Sequence, residues 1–600
     1  MDIFPEFFLY SNVNIKKYGE NAHIEYGWSD NLREKILQWN YQAIRCEEEQ
    51  MDLLESIYFQ LIHDLYTIYK FRSVPLIDKQ VSFHLLIVLY KMIGQVRDLV
   101  EGKGEYAISF RMIYSWYYIN PELAFYALET FVKRDDLQHP YGSWKDIKYF
   151  CNFILEKTSS KYHPLIIFGI QLLNNQLRKE ESSNNSSSSS SLVSKWIPRE
   201  KSVKFGWLNE LLAIHYYSHY LIHCSPEKNP SQLEKAMNKC KMDYRKLNSK
   251  FNKFCNTIEI NQCNKDWANI DFNKVTSIGL WNKSASFLNL KNKKEEDRIL
   301  CATNFKNFIE QNINHNCIEK EKDSKIKING KNIELSKFTK RALALLELQE
   351  MNPKNENIDV SMKILNEQWN NNSKKTDILG KMIAIVDVSD TMTEEARNLA
   401  IAIGIRIAEK SILGKRILLF GNNSYWVNLE CCDDFISMVK KIVLKKDWST
   451  NANFYSSIDL ILHGMINVKM TPEEIQDLML VIISDMQIDG LNNNKNNLYW
   501  EIKHRFQKTG LKYYGKYLKP PHILLWNVRN TDGFPSLYNQ ENCSMVSGNH
   551  SFLLNIYGEG NSNNNNNNYN LQASTPWSIM ISSLDNKRYK ILEKKGLEVL

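Results

Sequence analysis

The polar and apolar positions of this chain follow two different periods. Over residues 50–71, Leu54, Ile57, Tyr58, Leu61, Leu65 and Ile68 recur at helical spacing, with carboxylates and lysine between them. Residues 81–93, 108–118, 121–132 and 144–155 continue helix after helix, with no alternating strand pattern to interrupt them. Helix pairs in such a series stack as a solenoid or ring, although no strict internal repeat is visible. The period changes in the second half. Residues 383–386, 416–420, 478–483 and 522–526 are short apolar runs with the composition of buried parallel strands. Between them, residues 393–412 form a predicted helix with Leu399, Ile403 and Ile407 on one face, and Thr393 placed to cap its start. Residues 455–465 form another. Strands alternating with helices predict a doubly wound parallel sheet.

The expected fold class is therefore α plus α/β: a mainly α-helical, repeat-like region over residues 1–350, a linker over 351–376, and an α/β domain over 377–600. Low-complexity tracts punctuate this order. Residues 180–191 end in a serine run and read as a flexible loop, residues 352–375 are rich in Asn and Lys, and residues 561–568 are an Asn-rich insertion. Asn and Lys abundance also fits an AT-rich genome, such as that of a protist or a large DNA virus, and no chemistry is assigned to these tracts.

Composition adds bounds. Six hundred residues suggest about four domain-sized units, and two large ones are equally compatible. A hydrophobic content of 43% and an aromatic content of 12% suffice for large cores. A net charge of +8 permits a polyanionic partner without demanding one. The eleven cysteines form no Cys-x-x-Cys pair and read as reduced thiols of an intracellular protein. The first residues lack a basic region before an apolar stretch, so no secretory signal is visible, and the strongest apolar run, 85–90, is far too short to span a bilayer; no membrane partner and a cytoplasmic location are therefore expected.

The clearest chemistry lies where the run 383–386 ends. Asp387 follows it, then hydroxyls at Ser389 and Thr391; the run 478–483 ends similarly on Ser484 and Asp485. Ligands of open α/β sheets sit beyond the carboxyl ends of strands. Acids and hydroxyls there form a hard, all-oxygen set suited to Mg²⁺ or Mn²⁺. A turn or helix cap is the plainer reading of either Asp. Asp-x-Ser-x-Ser/Thr resembles the opening of the metal-ion-dependent adhesion site of von Willebrand factor A (vWA) domains, and Asp485 stands where such a domain places its later carboxylate. Haloacid-dehalogenase phosphatases open instead with Asp-x-Asp-x-Thr; Ser389 replaces their second Asp and removes the general acid.

A wider resemblance rests on residues spread over positions 50 to 595. They include Arg97-Asp98, Gly102-Lys103-Gly104-Glu105, Trp116, Tyr141-Gly142-Ser143-Trp144-Lys145-Asp146, Lys195-Trp196-Ile197-Pro198 and Tyr244-Arg245-Lys246-Leu247. In the second half come Asp387-Val388-Ser389-Asp390-Thr391-Met392, Asp447-Trp448, Ser484-Asp485-Met486, Trp526-Asn527, Ser547-Gly548 and Arg588-Tyr589. In this order they resemble the uncharacterised family named domain of unknown function 2828, which joins a TROVE-like helical region to a C-terminal vWA-like domain. Its distant relatives in architecture, the Ro autoantigen proteins, hold small RNAs on a helical ring. The resemblance implies a divalent ion on Asp387, Ser389, Thr391 and Asp485. Two departures weaken that set. Asp390 and Thr391 stand for the family's Gly and Ser, and Ala452 stands for a Thr, leaving Thr450 or Asn451 as doubtful substitutes.

Three functional expectations follow. The first is a non-enzymatic scaffold that binds a protein partner, whose acidic side chain completes the ion's coordination. The second is binding of small or structured RNA by the helical region. Lys195, Trp196 and Arg199, then Tyr244, Arg245 and Lys246, supply charge and stacking faces, although Trp at helical spacing is commonly core and Lys groups are commonly solvated. The third is a structural particle component, located in the virion if the source is a large DNA virus. No nucleophile elbow, Walker loop or His-Glu-x-x-His helix is present, so no enzyme and no catalytic residue is expected.

Overall fold

The computed structural model describes residues 16–600 apart from 22, 72–73, 183–190, 225–229, 256, 292, 319–327, 422, 445–453, 489–496 and 559–572. The serine run, the Asn-rich insertion and the candidate ligands Thr450 and Asn451 fall wholly or largely outside those residues.

The chain forms two compact units, both discontinuous in sequence. The larger comprises Met1–Ile108, Ser277–Asn282 and Asn312–Glu593, and the smaller comprises Ser109–Thr276, Lys283–Gln311 and Lys594–Leu600. This differs from a boundary near residue 350. The first helices carry side chains complementary to the sheet unit. Glu34 accepts the Tyr538 amide at 2.8 Å, and Asp98 takes two hydrogen bonds from the Arg588 guanidinium at 2.6 and 2.7 Å. Such long-range partners leave no periodicity to read.

In the larger unit, β1 (Lys16–Tyr18) and β2 (Ile24–Tyr26) form an antiparallel hairpin. The main sheet has six strands: β3 (Met382–Asp387), β4 (Arg416–Phe420), β5 (Tyr425–Asn428), β6 (Met479–Ser484), β7 (His522–Asn527) and β8 (Cys543–Ser547). Their order is β5-β4-β3-β6-β7-β8, all parallel except β5, which runs against β4 at one edge. The four predicted runs are β3, β4, β6 and β7. Short β5 and β8, with Tyr, Asn and Ser among few aliphatics, carried too little apolar signal.

The predicted helix is observed as Glu394–Lys410. The Thr393 hydroxyl caps Ala396, and Glu394 and Glu395 sit at the positive end of the helix dipole. It is buried nearly all round, Ile401, Ile405 and Ala408 included, because the helix Leu335–Met351 packs across it while its other side lies on β3. Gly404 allows that approach: a Cβ there would meet Val386 Cγ2 at 2.5 Å. The expected linker instead carries the helix Glu356–Ser373, capped by Asn355, whose Trp369 stacks on Phe435 with centroids 3.9 Å apart.

The smaller unit is built from helices that include Pro121–Thr130, Trp144–Thr158, Pro164–Ser182, Gly206–Tyr216 and Pro230–Cys255. Asn120 caps the first, with Pro121 at its opening position. Asn174 ties three of them together, donating to the Leu212 carbonyl at 3.0 Å and accepting from the Tyr244 hydroxyl at 2.9 Å. Among the described residues no helix is long and apolar enough to cross a membrane.

Candidate functional site

Counted from β3, the sheet reads 3-2-1-4-5-6, so its order reverses between β3 and β6. Ligands of open α/β sheets bind in the crevice at that reversal, beyond the carboxyl ends of the strands. Asp387 is the last residue of β3, Ser484 is the last of β6, and Asp485 follows it directly. The chain therefore delivers both acids to the reversal.

Asp387 is buried. Its Oδ1 accepts the Ser389 backbone N–H at 2.9 Å and its Oδ2 accepts the Ser484 hydroxyl at 2.7 Å. Burial, then the neighbouring Asp485 charge, pushes its carboxyl up to about 6. The Ser389 and Thr391 hydroxyl oxygens lie 2.9 Å apart, so they share one hydrogen and face a common space; Thr391 is exposed. The structure thus brings together Asp387, Ser389, Thr391 and Asp485. Asp390 goes elsewhere, its Oδ1 receiving Arg397 Nη1 at 3.1 Å.

Three elements of this site escaped the sequence reading. Arg529, two residues beyond β7, donates through Nε to Asp485 Oδ2 at 3.1 Å and through Nη2 to Glu20 Oε2 at 2.8 Å. The visible signal was a cation immediately after a strand beside the reversal. The β1–β2 hairpin is the second element. The Glu20 amide donates to Gln487 Oε1 at 2.7 Å, and Glu25 Oε2 receives Gln487 Nε2 at 3.4 Å. The third is Met486, held at φ +63°, a left-handed conformation uncommon for a residue with a side chain. It turns the chain so that Asp485 Oδ1 can accept the Gln487 amide at 3.1 Å.

Among the described residues no group of three or more His, Cys, Asp and Glu side chains is placed to hold a metal ion. The donor set at the strand ends is sparser and harder: two carboxylates and two hydroxyls. Asp387 accepts these hydrogen bonds from neutral donors, and Asp485 is the acid that meets Arg529. An all-oxygen, partly neutralised set of this kind fits a divalent ion of the Mg²⁺ class, with water filling the remaining positions.

The candidate RNA contacts lie in the smaller unit and are not all surface groups. Tyr244 is a correction: it is fully buried, because its ring faces the helix pair and its hydroxyl is spent on Asn174. Lys195 is paired with Glu259 at 3.1 Å, Arg245 with Glu200 at 3.7 Å and Lys246 with Asp243 at 3.5 Å, while Arg199 is exposed. Trp196 is half-buried and meets two further cations besides Lys195, whose Nζ lies 5.9 Å from its ring centre. Lys145 and Lys148 lie 5.9 and 5.3 Å from its ring centre, and Lys148 also covers Phe205 at 4.9 Å. Burial, then the charge of Lys145, holds the Lys148 ammonium below its usual value.

Residues 381–591, which carry the six-stranded sheet, match a family described as domain of unknown function (DUF7788). Over 490 residues the chain is 25% identical to an uncharacterised protein of Acanthamoeba polyphaga mimivirus, covering 78% of this chain and 76% of that one.

Proposed function

We propose that this chain is a non-enzymatic binding protein whose sheet end holds Mg²⁺ or Mn²⁺ and offers it to an acidic side chain of a protein partner, in the manner of a vWA-type adhesion site. One observation carries the reading: Asp387, Ser389, Thr391 and Asp485 converge at the reversal of the sheet, with the buried Asp387 carboxyl held near 6 beside a second acid. An acid whose proton affinity is raised by burial and by a neighbouring carboxylate is stabilised as its anion when a cation joins it. Asp387, Ser389, Thr391 and Asp485 would be the ligands, and the ion would supply a positive point to which a partner's carboxylate binds. Thermal unfolding of the full chain tests this. Mg²⁺ is expected to raise the midpoint of the wild type and leave Asp387→Ala and Ser389→Ala unmoved, because a ligand stabilises only the state that binds it. Equal midpoints with and without Mg²⁺ in the wild type would defeat the reading.

A second reading is favoured by Trp196. With Lys145, Lys148 and Phe205 it combines a half-exposed aromatic face with clustered ammonium groups, the chemistry that holds unpaired nucleotides. Binding of single-stranded RNA is then expected to fall steeply with salt and to weaken in Lys148→Ala and Trp196→Ala. Retention that ignores salt would count against it. The mimivirus relative keeps a third reading, a particle component, in view; copurification with particles independent of Mg²⁺ and RNA would support that one.

A further inference from the structure

The short connection from β5 to the helix Phe435–Val443 carries two adjacent cysteines with opposite surroundings. Cys432 turns inward into the same apolar cluster as Phe435 and Val439, and its N–H donates to the Leu429 carbonyl at 3.0 Å. Cys431 is exposed. Lys441, in the last turn of the helix, places Nζ 2.7 Å from Cys431 Sγ. That separation is at the short end of an N–H···O hydrogen bond, about 2.7–3.2 Å, although sulfur is the larger atom. The nearby Glu430 pairs with Arg416 at 3.5 Å. The hydrogen bond from Lys441, then its charge, holds the Cys431 thiol below its usual value, while burial raises Cys432. Thiolates beside a Lys ammonium are the reactive ones.

We infer that Cys431 and Lys441 form an oxidation-sensitive pair that hydrogen peroxide closes into an intrachain sulfur–nitrogen bond. The Cys431 thiolate attacks one peroxide oxygen; an S–O bond forms, the O–O bond breaks, and sulfur is oxidised by two electrons while peroxide is reduced. The departing hydroxide takes a proton from the Lys441 ammonium and leaves as water. The freed amine then attacks the sulfenic sulfur, an S–N bond forms, and the S–OH bond breaks. That hydroxide takes one of the two nitrogen protons and leaves as a second water, and the other proton stays on the sulfenamide nitrogen. One thiol, one amine and one peroxide thus give one sulfenamide and two waters.

Cys432 is the competing trap for the sulfenic acid, and geometry disfavours it. Neighbouring Cα atoms stand about 3.8 Å apart across a trans peptide, below the roughly 4.4–6.8 Å that disulfides span. Lys441 needs no such rearrangement.

The full chain is treated with equimolar hydrogen peroxide at pH 7, digested with a protease that cleaves before aspartate, which cuts between Cys431 and Lys441 at Asp433 and Asp434, and analysed by mass spectrometry. The expected product joins the peptides of Cys431 and Lys441 at two hydrogens less than their summed mass, and dithiothreitol reverses it. Cys432→Ala is expected to keep the product. Lys441→Met is expected to lose it and to slow alkylation of Cys431 by iodoacetamide. A Cys431–Cys432 disulfide would overturn the inference. So would an unmodified Cys431 at peroxide levels that oxidise glutathione, or an alkylation rate indifferent to Lys441→Met.

Discussion

Arg529 decides the charge at the end of the sheet. Its guanidinium spans Asp485 and Glu20, so one of the two acids proposed as ligands already has a cation. A divalent ion on Asp485 and this arginine draw on the same carboxylate. Arg529→Gln is therefore expected to shift the Mg²⁺ dependence of the thermal midpoint to lower concentration, and a shift to higher concentration would show that Arg529 supports the site instead. Glu34 gives a prediction in pH. Burial pushes its carboxyl up to about 7, opposed only by the Tyr538 amide, and its Oε1 has no hydrogen-bond partner. A carboxyl raised in the folded state takes protons more readily than in the unfolded chain. Its stability contribution is full below about 4.5 and is lost as pH climbs through about 7. Glu34→Gln should accordingly match the wild type near pH 4 and exceed it at pH 8 by on the order of 3 kcal/mol, at 1.36 kcal/mol per pKa unit. Denaturant unfolding at the two pH values measures this. At this scale the sequence showed the acids and hydroxyls, because strand-end chemistry is local. It hid Arg529, Glu20 and the burial of Tyr244, which depend on residues from 44 to 509 positions away.

Elements were legible where one strong period dominated. β3 and β6 announced themselves as unbroken apolar runs, and the helix Glu394–Lys410 showed both its cap and its inner face. Its outer face was missed because a second helix, Leu335–Met351, covers it, and single-face periodicity cannot report a covering neighbour. The helix Glu356–Ser373 was hidden by composition: Ile358, Leu365 and Trp369 recur at helical spacing and are buried, yet Asn and Lys around them suggested a joint. Close packing between helix and strand makes a sharp prediction at Gly404. Gly404→Ala forces a methyl group against Val386, next to Asp387 in β3, and overpacking of this kind costs about 1–3 kcal/mol. Chemical unfolding of the variant should show that loss, and its Mg²⁺ response should weaken with it.

The larger unit is assembled from distant stretches of chain, and its ends are fastened together by charge. Asp98, at the end of the helix Leu76–Arg97, and Arg588 are both buried and doubly hydrogen-bonded. Removing one partner of such a pair strands the other in a poorly solvated place. Arg588→Ala is expected to cost about 3–5 kcal/mol, and the double replacement Asp98→Asn with Arg588→Met to recover part of it. Arg97-Asp98 and Arg588-Tyr589 were both visible as motifs, but nothing in the sequence said that one held the other. That pairing has a consequence for how the protein is made. A ribosome adding roughly 5–20 residues per second needs on the order of half a minute to a minute and a half to go from Ile108 to Glu593. Throughout that interval the first helices have emerged without the strands they pack against. The apolar face of the helix Leu32–Gln42, which packs on β8 and on the helix Pro576–Leu584, must wait in the cell uncovered or in the keeping of a chaperone.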